Sequence, residues 1–155
     1  MALLFVIFAA PIVTAWGMIT WSVGIPQDHT AHGKVISNVP LLDDWPLTAS
    51  VVDAEQWTLV LDCGTRCEQQ QDELWRLHRA LGREAARLQR LRIGGSNAAL
   101  PGETVVAWQH QPAWSHDHTV WLFDPMGRPA LAFSPNVSTS DILDDIRHLF
   151  KVNPI

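Results

Sequence analysis

Cys63 and Cys67 constrain this chain more than any other feature. They are its only cysteines, they end the apolar run Trp57-Thr-Leu-Val-Leu-Asp62, and a helix-forming stretch follows them. A short apolar run of this kind predicts a buried strand, so both thiols fall on a turn from strand into helix. At a helix N-terminus the free backbone N–H groups and the positive end of the dipole favour thiolate over thiol. Thiolate is the form that binds soft metals and attacks disulfides. A separation of four positions also brings the two sulfurs to one side of a helical turn. From there they can share a metal ion or close a disulfide, and the residues alone leave both open.

The rest of the composition narrows the class. A chain of 155 residues, 47% apolar and with eight tryptophans, has the material for a leading apolar segment and one domain with a true core. Net charge is −5 and no basic run occurs, which excludes nucleic acid as an expected partner.

From Ala2 to Ile25 no side chain is charged, and a helix needs about 20 such residues to cross a bilayer. Trp16 and Trp21 sit where an interfacial aromatic belt belongs, and Pro11 is tolerated in a membrane helix. A cleaved signal peptide calls for a basic leading region that this chain lacks, so an uncleaved anchor is expected. Only Lys34 follows soon after, and nothing basic holds the remainder in the cytoplasm. The expected placement is a single pass through a bacterial inner membrane with the C-terminal domain on the periplasmic side, where thiol chemistry is managed.

Beyond the anchor, residues 28–46 read as linker and irregular chain, with a hint of strand at Lys34-Val35-Ile36. Trp57 to Leu61 predicts a central strand, and Glu68 to Leu81 a helix with Leu74, Leu77 and Leu81 on one stripe, stopped at Gly82. Arg87 to Ile93 fits either period, and Val105 to Trp108 is a further short strand. Thr119 to Phe123 and Arg128 to Phe133 predict a hairpin around Asp124-Pro125-Met126-Gly127, which has the residues of a type I turn. Ser138 and Asp141 signal the start of a closing helix with Ile142, Ile146 and Leu149 inward and Asp144-Asp145 solvated in its first turns. The four tryptophans Trp75, Trp108, Trp114 and Trp121 read as packing residues. The expected fold is α/β, a thioredoxin-like domain behind one N-terminal transmembrane helix. Its divisions are 1–26 as anchor, 27–53 as juxtamembrane linker and irregular segment, and 54–155 as the domain.

His116-Asp117-His118 immediately precedes the hairpin. Two thiolates and one imidazole form a set soft enough for Cu(I), with Asp117 placed to orient an imidazole. His110, His29 and His32 read as solvated loop residues. The segment Asp117-His118-Thr-Val-Trp-Leu-Phe-Asp-Pro-Met-Gly127, with the cysteine pair and the single apolar helix, resembles the Sco proteins over residues 55–150. Those are membrane-anchored, thioredoxin-fold assembly factors of cytochrome c oxidase that bind copper through a Cys-x-x-x-Cys pair and a histidine. The resemblance implies Cys63, Cys67 and His118 as copper ligands and oxidase subunit II, or another oxidase subunit, as partner. Two features depart from it. Gly64 and Glu68 stand where those proteins carry proline after each cysteine, and the interval from Cys63 to His118 is much shorter than theirs.

Three functions follow as expectations. One is a copper metallochaperone that delivers or poises copper for the subunit II site. Another is a thiol–disulfide oxidoreductase using Cys63 and Cys67, with Cys63 attacking, to reduce the cysteines of that site. The third is a structural oxidase subunit with a vestigial motif. No other catalytic signature stands out in the sequence.

Overall fold

A computed structural model describes residues 2–21, 31–53 and 55–154, with side chains of the first helix described over residues 6–17. The chain divides into two compact units, residues 1–30 and 31–155. In the first, helix α1 runs Ala2–Trp21 with Pro11 inside it. Thr14 Oγ1 donates to the carbonyls of Ala10 (2.9 Å) and Pro11 (3.1 Å) beside the proline. Its described apolar side chains, among them Phe8, Ile12 and Trp16, are exposed. Among the described residues no helix is long and apolar enough to cross a membrane. The end of the expected anchor beyond Trp21, and His29, lie outside the described residues.

The second unit is a six-stranded sheet. Its strands are β1 (Lys34–Val35), β2 (Trp57–Gly64), β3 (Leu88–Gly94), β4 (Glu103–Val106), β5 (Val120–Phe123) and β6 (Pro129–Phe133), with helices α2 (Glu68–Ala80) and α3 (Thr139–Val152). The spatial order is β1-β6-β5-β2-β3-β4. β2 pairs parallel with β3 and antiparallel with β5, so the cysteine-bearing strand lies at the centre. The segment that fitted both periods is strand β3. A strand there completes a parallel pair with β2, and that pairing decides what local propensity leaves open. Gly127 N donates to Asp124 O (2.9 Å), closing the expected turn. Ser138 Oγ accepts from Asp141 N (3.2 Å), capping α3.

Alternation along β2 sends its side chains to two different cores. Trp57, Leu59, Leu61 and Cys63 face α2 and α3, meeting Leu74, Leu77, Leu81, Ile142, Ile146 and Phe150. Val60 faces the other side of the sheet, away from α2 and α3. There Leu42, Trp45 and Leu47 pack with Leu91, Ile93, Trp121 and Phe123, and Trp108 and Trp114 close over them. Leu42, Trp45 and Leu47 come from the stretch expected as linker and irregular chain. The 3₁₀ turn Leu42–Asp44 and the bridge from Leu47 to Trp108 fold it onto the sheet. Leu149 is only half-buried, and Phe150 takes the inward place beside Ile146.

Two expectations are corrected at this level. His32 is not a bare loop residue: its ring Nδ1 lies 3.0 Å from Asp145 Oδ1. Asp145 is not solvated but buried, its Oδ2 accepting from His32 N (2.7 Å) and Gly33 N (2.8 Å). A carboxylate inside an apolar face needs such donors, and the chain just ahead of β1 supplies them.

Candidate functional site

Cys63 occupies the end of β2 and Cys67 the N-cap of α2, and the two are joined in a disulfide. Gly64 makes the turn between them possible. Its φ of +57° is open to glycine at little strain, and a Cβ there would meet Asp117 Cγ at 2.5 Å. Cys63 is fully buried and Cys67 nearly so. Only Cys67 of the pair reaches a cleft of about 340 Å³, lined also by Arg66, Gln70, Glu73, His118 and Pro135.

His118 is held in that cleft by its own backbone and by Gln70. Its φ of 66° is the one positive value at a non-glycine among the described residues. Its N–H donates to Asp62 O (2.7 Å), tying it to the strand that carries Cys63. Gln70 Nε2 donates to His118 O (3.0 Å), and Gln70 Oε1 lies 2.8 Å from His118 Nδ1. The carbonyl needs the amide's N–H₂, so the amide oxygen faces the ring and Nδ1 must carry the hydrogen. A neutral His118 then presents Nε2 as a lone pair. The orienting group is Gln70 rather than Asp117, whose carboxylate sits against Gly64 and takes only a long bond from Gln111 Nε2 (3.4 Å). His116 and His110 are exposed.

Three further groups escaped the sequence reading. Asp62 points to the face away from the helices, buried, with Trp108 Nε1 donating at 3.2 Å and Ser115 Oγ donating to its other oxygen. Burial pushes its carboxyl above the usual range, and those two bonds pull it part of the way back. Arg92 is wholly buried on the helix face, donating to Gly94 O (2.6 Å) and Asn97 O (2.7 Å), its Nε 3.5 Å from Glu103 Oε1. Gln71 on α2 donates to Glu103 Oε2 (2.7 Å). Gly95 follows β3, and a Cβ there would sit 2.5 Å from Cys63 Sγ and 2.6 Å from Arg92 Nη1. The one signal for this network is the charged pair Arg90 and Arg92 at alternate positions of a strand that also carries Leu88, Leu91 and Ile93. Their spacing marks a shared face but not its partners.

In this oxidised form the donor set does not suit a metal. Both sulfurs are bonded to each other, and among the described residues no group of three or more His, Cys, Asp or Glu could hold an ion. Reduction would return two thiolates, the ligands that soft cations prefer.

No curated protein matches the chain in sequence. In structure it is similar to copper-bound yeast Sco1, with a TM-score of 0.50 and 16% identity, covering 63% of this chain and 80% of that one. Copper-bound ScoI of Arabidopsis thaliana gives a TM-score of 0.51 at 8% identity, covering 64% and 86%. At such identities the likeness establishes a thioredoxin-like fold. A family model matches residues 57–153, the span from the cysteine-bearing strand through the closing helix. The chain belongs to the family described as the transmembrane-like, thioredoxin-like, C-terminal domain.

Proposed function

We propose that this protein is a thiol–disulfide exchange domain that cycles Cys63 and Cys67 between dithiol and disulfide. The observation that carries it is the bonded pair at the head of α2 with one sulfur lining a polar cleft. A disulfide kept only for stability has no need of such access, whereas exchange needs a sulfur that an incoming thiolate can approach. The helix N-terminus stabilises thiolate at Cys67 when the pair is reduced. In the full-length protein held in detergent, the pair should open and reclose reversibly across a glutathione redox buffer, followed by thiol alkylation and mass. A pair that stays closed until about −300 mV or below would be structural instead.

His118 favours a second reading, in which the reduced protein also carries Cu(I) as cargo. Exchange needs only the two sulfurs, and an imidazole clamped at two points in the same cleft as Cys67 adds the third donor that a soft cation would take. Cys63 and Cys67 as thiolates and His118 through Nε2 would hold the ion, a soft three-donor set. This is the Sco-like role, with α1 as a tether in a bacterial inner membrane, the domain on the periplasmic side, and oxidase subunit II as the recipient or the dithiol substrate. Reduced protein titrated with Cu(I) against a chromogenic chelator should bind one equivalent. His118→Ala should weaken that binding at least tenfold, and His116→Ala should leave it unchanged. Equal affinities for wild type and His118→Ala would remove the copper reading and leave the exchange reading intact.

A further inference from the structure

We infer that the cysteine pair works with Cys67 as the sulfur that exchanges with substrate and Cys63 as the buried sulfur that leaves and resolves. This rests on the exchange reading above and reverses the order expected from the sequence, in which Cys63 attacks. Access decides the order. Cys67 lines the cleft with His118 and Pro135, while Cys63 does not reach it and has no exposed surface. Behind Cys63 the chain closes tightly, since a single added carbon at Gly95 would fall 2.5 Å from its sulfur. A nucleophile cannot pass that loop without displacing backbone.

Charge placement agrees with access. The same point at Gly95 lies 2.6 Å from Arg92 Nη1. Laid end to end, the two distances put the guanidinium nitrogen within about 5 Å of Cys63 Sγ. Arg92 shares Glu103 with Arg90, whose charge Glu103 also faces, so two buried guanidinium groups face one carboxylate. A negative sulfur at Cys63 supplies part of the missing counter-charge.

The step balances as follows, with a dithiol polypeptide as the substrate. One substrate thiolate attacks Cys67 Sγ, the Cys63–Cys67 bond breaks, and its electron pair moves onto Cys63 Sγ beside Arg92. The substrate is now bonded to Cys67. Its second thiolate attacks the substrate sulfur of that mixed disulfide, and Cys67 leaves with the electron pair. The substrate has lost two electrons and become a disulfide, the protein pair has gained them, and the thiol protons pass to the protein sulfurs or to water. Run backwards, Cys67 thiolate attacks a substrate disulfide and Cys63 resolves it.

The test uses full-length Cys63→Ser and Cys67→Ser proteins, each mixed with oxidised glutathione, with the adduct followed by mass. Cys63→Ser, which keeps Cys67, should form the mixed disulfide at least tenfold faster than Cys67→Ser. In urea the two rates should converge, because the difference belongs to the fold. Cys63→Ala serves as a second carrier of Cys67 alone and should behave as Cys63→Ser does. Equal native rates, or faster reaction at Cys63, overturn the assignment. Wild-type protein exchanging with reduced glutathione in parallel keeps the exchange reading standing whichever cysteine proves faster, and failure of that exchange removes the reading itself.

Discussion

At the scale of single residues, the backbone around the cysteines disfavours proline after either of them. Gly64 sits at φ +57°, and a proline ring fixes φ near −65°. Cys67 has ψ 23°, whereas a residue ahead of proline is pushed to extended ψ. Glu68, at the first helical position, would otherwise accept proline well. Gly64→Pro should therefore lower stability by about 3 kcal/mol, and Glu68→Pro by about 1 kcal/mol, read from urea unfolding of the oxidised protein. A neutral Gly64→Pro would mean the turn can be rebuilt with an ordinary φ. The cysteines, Gly64 and His118 are all visible in the sequence, but Gln70 is not. Its role arises because the first turn of α2 meets the loop ahead of β5, a contact between residues far apart in the chain.

Between elements, the decisive link is the one joining the chain ahead of β1 to α3. Asp145, in the second turn of the helix, takes both backbone N–H groups of His32 and Gly33 and the His32 ring. Gly33 lets the chain lie this close, since a Cβ there would meet Phe133 Cε1 at 2.7 Å. Sequence periodicity located α3 with Ile142 and Ile146 inward, and Asp144 is solvated as expected, yet Asp145 beside it is buried. A carboxylate on the buried side is recognisable only once its donors are in place. Asp145→Ala removes a charged acceptor from two backbone donors, that of Gly33 buried and that of His32 part-buried, and should lower stability by about 2 kcal/mol. The clasp also depends on pH. The bond to Asp145 raises His32 above its ordinary 6.5, aided by the charges of Asp141 and Asp144 and opposed by its own loss of hydration. A group raised on folding stabilises fully below its unfolded pKa, and the contribution fades as pH climbs through the folded value. Thermal unfolding should show the wild type losing ground to His32→Gln between about pH 6 and pH 8. A constant difference between the two across that interval would mean that folding leaves the His32 ring unshifted.

For the domain as a whole, the sheet carries two unlike faces. Helices α2 and α3 cover the cysteine side, and an aromatic cluster covers the other. The strand-helix-strand-hairpin-helix order was legible from periodicity and turn chemistry. The aromatic face was not, because Trp45 lies in a stretch whose prolines and acidic residues read as linker. In the folded domain Trp45 is the hub of that face. It stacks on Trp108 with centroids 5.4 Å apart, tilts against Trp114 at 4.8 Å, and meets Trp121 and Phe123 edge-on at 5.8 and 5.1 Å. Each such pair stabilises beyond the area that the rings bury. Trp45→Ala should lower stability by about 4 kcal/mol, with Trp45→Phe losing less, and should flatten the near-ultraviolet circular dichroism of the coupled indoles. Exchange at Cys67 should stay within about twofold of wild type in whatever fraction remains folded, because cleft and cluster lie on opposite faces. One link between them is Asp62, which takes the Trp108 N–H on its side chain and the His118 N–H on its main chain. If Cys67 slows in proportion to the stability lost, Asp62 transmits packing from the aromatic face to the cleft, and the two faces act as one unit.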